Sequence, residues 1–493
     1  MQLNMEQLLL GIDIGTSACK VTLFKRDGAP VATASESYNT YYPKPGWAEQ
    51  NPEDWWTASC KAVRSLWKQT EINPASVSGV GIDGQGWAAV AVDREGDVLC
   101  PSPLWMDTRA REICAELGKS IGSARIFDVS GNPFQPTYTT PKILWLKRHM
   151  PDVYAKTAYI LQSNSFIVYR LTGAVCQDLS QAYGLHCFNL RSGEYDLALC
   201  EEMGIKPSLL PEIVQCHQIV GKVTKEASMA CGLVEGTPVV AGGLDAACGT
   251  LGAGVIHSGQ TQVQGGQAGG MSIATNQYKM SPVMINGFHV VPDLWLVQGG
   301  TVGGGGALRW FREQFGKGES FDQLTALAET IEPGTDGLVF LPYMAGERSP
   351  IWDKNAKGVF YGLDYSKTKA HFVRAVLEGV AFSLRHNLEA AAEAGTHAKE
   401  MQAMGGAANS PLWMQIKADV TGKPISVSSS DTATTLGAAI LAGVATGMYD
   451  NFQEATSETV SIKRRYEPDK NNAAIYNERY TMYRKLYQQL KDV

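Results

Sequence analysis

The run LLLGIDIGTSACKVTLF, residues 8–24, sets a single Asp and a Gly-Thr-Ser triplet between two apolar stretches. Its pattern predicts a strand over 8–12, a tight turn at Gly15, Thr16 and Ser17, and a second strand over 21–24, with too few residues between them for a helix. Dinucleotide and P-loop phosphate sites put a helix directly after the glycine turn, and neither GxGxxG nor GxxxxGK[ST] occurs in this stretch. The run is therefore a hairpin with Asp13 at its tip. A turn of this kind can present backbone N–H groups to a phosphate, while an Asp at the strand end can hold Mg²⁺ through water. The other reading is an Asp that caps its own turn.

Working outward, 493 residues with 44% hydrophobic and 19% charged content suffice for two or three domains with substantial cores. A net charge of -6 without a basic block argues against nucleic acid as a partner, so any phosphate site has to be local. The N-terminus MQLNMEQLLLG has no basic segment leading into a signal-length apolar run, which points to the cytoplasm. The most membrane-like stretch, TTLGAAILAGVATGMY at 434–449, is too short to span a bilayer, and its Gly and Ala content suits a tightly packed buried helix. No membrane partner is expected. The ten cysteines all fall between Cys19 and Cys248 without CxxC or a Cys/His cluster, so neither zinc nor a disulfide framework is expected. Their absence after Cys248 marks a shift between two halves.

NPEDWW carries a helix start: Asn51 to cap, Pro52 in the first turn, and Glu53 and Asp54 at the positive end of the dipole. Trp56, Cys60, Val63 and Trp67 then share one face, as core residues. A strand is expected over 77–83, broken by GQGW and resuming over 90–92, and 141–173 reads as mainly helical. From 239 to 306 the chain is densest in glycine, in VVAGGLDAACGTLGAG, GQTQVQGGQAGG and QGGTVGGGGALRW. Strands interrupted by glycine clusters indicate backbone lying against a ligand or, equally, turns that only pack tightly. A long amphipathic helix is expected over 367–394. MQAMGGAANSPLWMQIKADVTGKP reads as strand, glycine turn and helix capped by Asn409 or Ser410, and a last helix is expected to dock through Tyr476, Tyr480, Tyr483, Tyr487 and Leu490.

GIDIGTS, TTPKILW, GGLDAACG, YMAGERSP, GVFYGLDYSKTKAHFVRAVLEGVAF and MGGAANSPLWMQIKADV, in this order, resemble the FGGY carbohydrate kinases, and within them the xylulokinase branch, over about residues 8–447. The resemblance implies an α/β fold of two ribonuclease-H-like domains of the actin/hexokinase ATPase type with an interdomain cleft: 1–255, sugar-binding with the first phosphate hairpin, and 256–493, nucleotide-binding. It implies ATP and Mg²⁺, with Asp13 near the metal and the transferring phosphoryl group, and Gly15, Thr16, Ser17 and Lys20 on the phosphates. Gly405, Gly406 and Asn409 should carry the adenosine side, with Gly303 and Gly304 lining it. The second phosphate hairpin falls at GQTQVQGGQAG. It departs from the family's G-T-S by offering Gly266, Gln267 and Ala268, and Gln267 can donate through its amide.

A sugar kinase needs a base at the hydroxyl and positive charge on the phosphates. Asp245 of GGLDAACG resembles the family's base, and its other reading is a helix cap. The sugar should meet Gln85, Gly86, Trp87, Asp107, Thr139 and Asp245. Gly86-Trp87 stands where xylulokinases have Met-His, exchanging an imidazole for an indole that stacks and donates one N–H. The expected activity is ATP-dependent phosphorylation of a ketopentose such as D-xylulose to xylulose 5-phosphate. Alternatives are L-xylulose, L-ribulose, a tetritol or another polyol, a non-kinase actin-like ATPase, and a sugar sensor. The expected partners are small molecules, the sugar and ATP, and a homodimer is compatible with the sequence.

Overall fold

The computed structural model describes residues 7–428 and 432–493. The chain forms two compact units, one of Met1–Ile256, Asn286–Trp295 and Thr432–Val460 and the other of His257–Ile285, Leu296–Asp431 and Ser461–Val493. Two segments that a division at 255/256 assigns to the second domain, Asn286–Trp295 and Thr432–Val460, are thus part of the first unit.

The first unit is built on the opening hairpin. β1 (Leu8–Ile14) and β2 (Ala18–Phe24) are antiparallel, and β3 (Pro30–Ser37) continues the meander on β2. β4 (Val77–Gly84) joins the other edge of β1 in parallel. β5 (Ile219–Lys222), β6 (Pro238–Val240) and β7 (Gly243–Leu244) complete a seven-stranded sheet in the order β5-β6-β4-β1-β2-β3, with β7 beside the end of β4. The Pro52–Gln69 helix starts as its sequence predicts, with the Asn51 side chain accepting from Glu53 N–H, and it buries Trp56, Cys60 and Val63 on the core. Trp55 is fully buried as well. Val90–Val92 leaves the main sheet and pairs with Tyr159–Leu161, a strand inside the stretch expected to be mainly helical.

The Ala433–Ala445 helix is the membrane-like stretch. It lies buried on the first sheet, and glycine sets how closely it approaches. A Cβ on Gly11 would stand 2.0 Å from the Thr435 carbonyl oxygen, and one on Gly81 1.8 Å from that of Ala438. Real side chains do not reach such distances, so β1 and β4 must carry glycine where the helix rests. Among the described residues no helix is long and apolar enough to cross a membrane. All ten cysteines are free thiols.

The second unit repeats the plan. β8 (Gln260–Gly265) and β9 (Gly269–Thr275) form an antiparallel hairpin, and β10 (Trp295–Thr301) lies beside β9. On the other edge β11 (Glu400–Met404) and β12 (Ile425–Ser428) run parallel to β8, and β13 (Ile462–Tyr466) closes the edge antiparallel. The Lys369–Glu393 and Pro411–Thr421 helices cover this sheet, and the Ala473–Leu490 helix docks through buried Tyr476, Tyr480 and Tyr483. An antiparallel hairpin with a third strand at its side, joined on the other edge by parallel strands, twice, is the ribonuclease-H-like plan that the resemblance implied.

Candidate active site

Three parallel strands end side by side in the first unit, and each delivers a carboxylate. Gly11-Ile12-Asp13 on β1 lies in register with Gly81-Ile82-Asp83 on β4. Gly243 of β7 pairs with Asp83, so Asp245 follows directly after the neighbouring strand end and opens the Asp245–Gly252 helix. Asp83 is fully buried. Burial, then the charges of Asp13 and Asp245, push its carboxyl well above the ordinary carboxylate range. A shift in this direction favours the protonated carboxyl, the form that can donate to Asp13, and among the described residues the Asp83 oxygens have no conventional donor. Asp13 Oδ2 also accepts from the Thr434 hydroxyl at 3.0 Å, while among the described residues Oδ1 has no conventional donor. Burial raises Asp13, against the pull of Asp83, Thr434 and Lys20, its cross-strand neighbour on β2.

Burial and the Asp13 charge together push Asp245 up to about 7. Among the described residues its one direct hydrogen bond is the 2.6 Å acceptance from Ala246 N–H, and the residue in the capping position is Leu244. The two readings of Asp245 meet here: the carboxylate touches the helix start, yet it stays open to a further partner. The turn after β1 is pinned from three sides. Tyr38 donates to Gly15 O, Gln50 Nε2 to Thr16 O at 2.7 Å, and Trp105 Nε1 to Thr16 Oγ1 at 3.1 Å. Thr16 and Ser17 N–H have no acceptor among the described residues.

The expected sugar contacts divide. Gln85 is buried and donates to Gln50 Oε1 at 3.0 Å, and its own Oε1 has no donor among the described residues. Trp87 holds a left-handed backbone, φ 60°, with its carbonyl taken by Lys142 Nζ at 2.6 Å. Its ring stacks on Tyr138, centroids 4.2 Å apart, and meets the edge of Tyr183. Gly86 gives room, since a Cβ there would press on Leu244 at 3.0 Å. Asp107, expected as a hydroxyl partner, is instead fully buried and engaged: its oxygens accept from Arg109 and from Ala48 N–H at 2.7 Å. Thr139 is also fully buried, and its hydroxyl accepts from Gln162 Nε2 at 3.0 Å. An Arg two residues along explains Asp107, and packing under Gly184 explains Thr139.

In the second unit the turn at 266–268 joins β8 and β9, and the Gly305–Phe315 helix begins against it, with Gly306 N–H donating to Gln267 O at 2.9 Å. Gly303 and Gly304, expected to line the nucleotide, serve this packing: added Cβ atoms would stand 2.1 Å from Pro342 O and 2.3 Å from Ala268 C. Gln267 folds its amide over Gly306. A cavity of about 220 Å³ opens beside the turn, lined by Gly265, Gly266, Gly305, Arg309, Phe321, Gly406, Asn409 and Trp413 among others. Gly405, left-handed at φ 80°, begins the 406–409 turn on that wall. Ser410 caps the following helix, which leaves Asn409 to the cavity.

Asp83, Lys142 and Arg309 escaped the sequence reading. The signal for Asp83 was present: Gly-Ile-Asp occurs at 11–13 and again at 81–83, and Gly-Leu-Asp at 243–245.

Two units of this plan, one gathering carboxylates at parallel strand ends and the other a glycine-walled cavity beside a hairpin turn, define the ribonuclease-H-like class of nucleotide-dependent enzymes. Within it the chain belongs to the FGGY family of carbohydrate kinases: the family's N-terminal domain matches residues 8–252 and its C-terminal domain residues 268–446. The chain is similar to xylulose kinase of Bacillus subtilis, 31% identical over 98% of this chain and 97% of that one. It is also similar to the Bacillus subtilis gluconokinase, at 30% identity over 96% and 94%. The crystal structure of xylulose kinase from Rhodospirillum rubrum superposes with a TM-score of 0.91 at 31% identity, covering 99% of both chains.

Proposed function

We propose that this carbohydrate kinase transfers the γ-phosphoryl group of ATP to a hydroxyl of a neutral ketose or polyol, with D-xylulose, giving xylulose 5-phosphate, the first candidate. The observation that carries the reading is Asp245, a carboxylate with one backbone donor and a carboxyl poised at about 7 beside Asp13. A base is most effective when it titrates near the working pH, so Asp245 takes the hydroxyl proton as phosphoryl transfer proceeds. By donating to Asp13, Asp83 favours its ionised form against the upward push of burial. Thr16 and Ser17 N–H and Lys20 face the transferred group, and Gly266, Gly405, Gly406 and Asn409 hold the nucleotide. Mg²⁺ bound with ATP neutralises phosphate charge, and Asp13 Oδ1, an oxygen without a conventional donor, fits it through water.

Electrostatics supports a neutral acceptor. Lys142 donates to the carbonyls of Trp87 and Thr137, and Arg109 pairs with Asp107 and Glu49. Gln85 Oε1, Gln162 Oε1, Asp13 Oδ1 and the Asp83 oxygens remain, without a conventional donor among the described residues. Such a wall suits hydroxyl donors and opposes the carboxylate of an aldonate. Trp87, stacked on Tyr138, favours a second reading in which the acceptor is another neutral polyol such as L-xylulose, L-ribulose or a tetritol. The test is ADP release from ATP and Mg²⁺ across pentuloses, tetritols, other polyols and aldonates. Neutral polyols or ketoses should stimulate release many-fold over the sugar-free rate. A preference for gluconate, or sugar-independent release, would overturn the proposal.

A further inference from the structure

Lys417 lies in the Pro411–Thr421 helix between Ile416 and Ala418, in a row of buried residues, and is itself 3% exposed. Its ammonium sits 5.1 Å from the centre of the Trp413 ring and 3.8 Å from where a Cβ on Gly265 would stand. It opens onto a small cavity of about 20 Å³ under the hairpin of β8 and β9, lined with Gln264, Gly270, Thr301 and Asn387. Among the described residues it makes no ion pair, and no hydrogen bond from Nζ is formed. A lone buried ammonium disfavours the fold, and Leu or Met would fill the same volume in this helix without that penalty. The protein thus keeps a positive charge with no counter-charge among the described residues.

What stands on the other side of the wall supplies one. Gly265 and Trp413, the two neighbours of the ammonium, both line the nucleotide cavity of about 220 Å³, and Gly265 leads into the turn at 266–268. That turn lacks the hydroxyl side chains of the opening hairpin, Thr16 and Ser17. We infer that Lys417 is a positioning residue for the polyphosphate of a nucleoside di- or triphosphate, a fixed charge set behind Gly265 that compensates for a turn without hydroxyl donors. The inference rests on the nucleotide reading of this cavity given above.

It has a pH signature. Burial alone lowers the Lys417 ammonium to about 8. The groups facing it, Gln264, Thr301, Asn387 and Trp413, do not titrate. The charged side chains nearby on the packed helices are engaged elsewhere, Arg385 with Glu389 and Asp419 with Gln415 and Asn472. Arg309 lines the larger cavity itself. An incoming phosphate chain favours the protonated lysine, so binding takes up a proton and ADP affinity falls as pH rises through 8 and above.

The experiment is calorimetric titration of the full chain with ADP and with adenosine at pH 7 and pH 9. Wild type should bind ADP about tenfold less tightly at pH 9, with adenosine unchanged. Lys417→Met should lose about tenfold in ADP affinity at pH 7, keep adenosine binding and show no pH dependence, the factor expected for one charge acting through a residue's thickness of protein. Lys417→Met with wild-type ADP affinity and pH profile would overturn the inference. If that variant does not fold, a wild-type ADP affinity that is flat from pH 7 to pH 9 does the same. ADP binding that fails altogether removes the nucleotide reading and this inference with it, whereas normal binding of ADP without the pH signature removes the inference alone.

Discussion

Asp245→Asn changes one oxygen for an NH₂ and should move two observables in opposite directions. The amide cannot accept the hydroxyl proton, so sugar-dependent ADP release should fall by about 10² to 10⁴, the usual contribution of a positioned base. Nucleotide binding should persist, because the cavity lined by Gly266, Gly406 and Asn409 belongs to the other unit. Stability should rise. The Asp245 carboxyl goes from 3.8 to about 7 on folding, so the folded protein holds the extra proton between those values. Stability therefore declines as pH climbs from about 4 to 7, and the penalty is complete above 7. The shift sets a ceiling of about 4 kcal/mol at neutral pH, and partial exposure of Asp245 reduces it to about 1 to 2 kcal/mol. An Asn, uncharged at every pH, escapes this penalty while its carbonyl still accepts from Ala246 N–H. The assay is coupled ADP release with thermal unfolding from pH 5 to 8, both chains side by side. If Asp245→Asn keeps transfer within tenfold of wild type, Asp245 is not the base. If it unfolds earlier than wild type at pH 8, the carboxylate is a helix cap and the electrostatic account of the site is wrong.

Asp83→Asn keeps a neutral donor for Asp13 and should retain transfer within about tenfold, while Asp83→Leu should lose at least 10²; equal activities for the two, measured as ADP release, would show that Asp83 is not Asp13's donor. Gly81→Ala places a methyl 1.8 Å from the Ala438 carbonyl oxygen and should destabilise by about 3 kcal/mol. Calorimetry should find the first unit melting roughly 5–10 °C lower, and an unchanged melt would contradict the close seating of the helix. Trp87→Ala, by opening the space beside Tyr138 and Tyr183, should weaken the preferred sugar by about tenfold to a hundredfold in kcat/KM; an unaltered sugar ranking would remove Trp87 from the acceptor pocket.

What could be read in the sequence was local. The opening hairpin was legible because Gly15, Thr16 and Ser17 leave no length for a helix, and the helix at Pro52 because Asn51, Pro52, Glu53 and Asp54 act within one turn. Asp13 and Asp245 were found for the same reason, each beside glycines at a strand end, with the family resemblance weighting them. The pairing of Asp83 with Asp13 was not, because it depends on register between strands some seventy residues apart and on burial that sequence does not show. Asp107 illustrates the converse. Its composition matched a hydroxyl partner, and only the folded position of Arg109 and the Ala48 amide shows its oxygens already engaged. The glycines at 303 and 304 were ambiguous between ligand and packing, and the nearest atom to each decided for packing.

The seating of the Ala433–Ala445 helix on Gly11 and Gly81 also orders events on the ribosome. The first sheet is synthesised early, but the surface prepared for this helix has nothing to receive until nearly the entire chain has emerged. The nascent amino-terminal half must therefore wait with a bare strip of strand backbone exposed. A fragment ending near residue 256 should behave as a client for chaperones rather than as an autonomous domain.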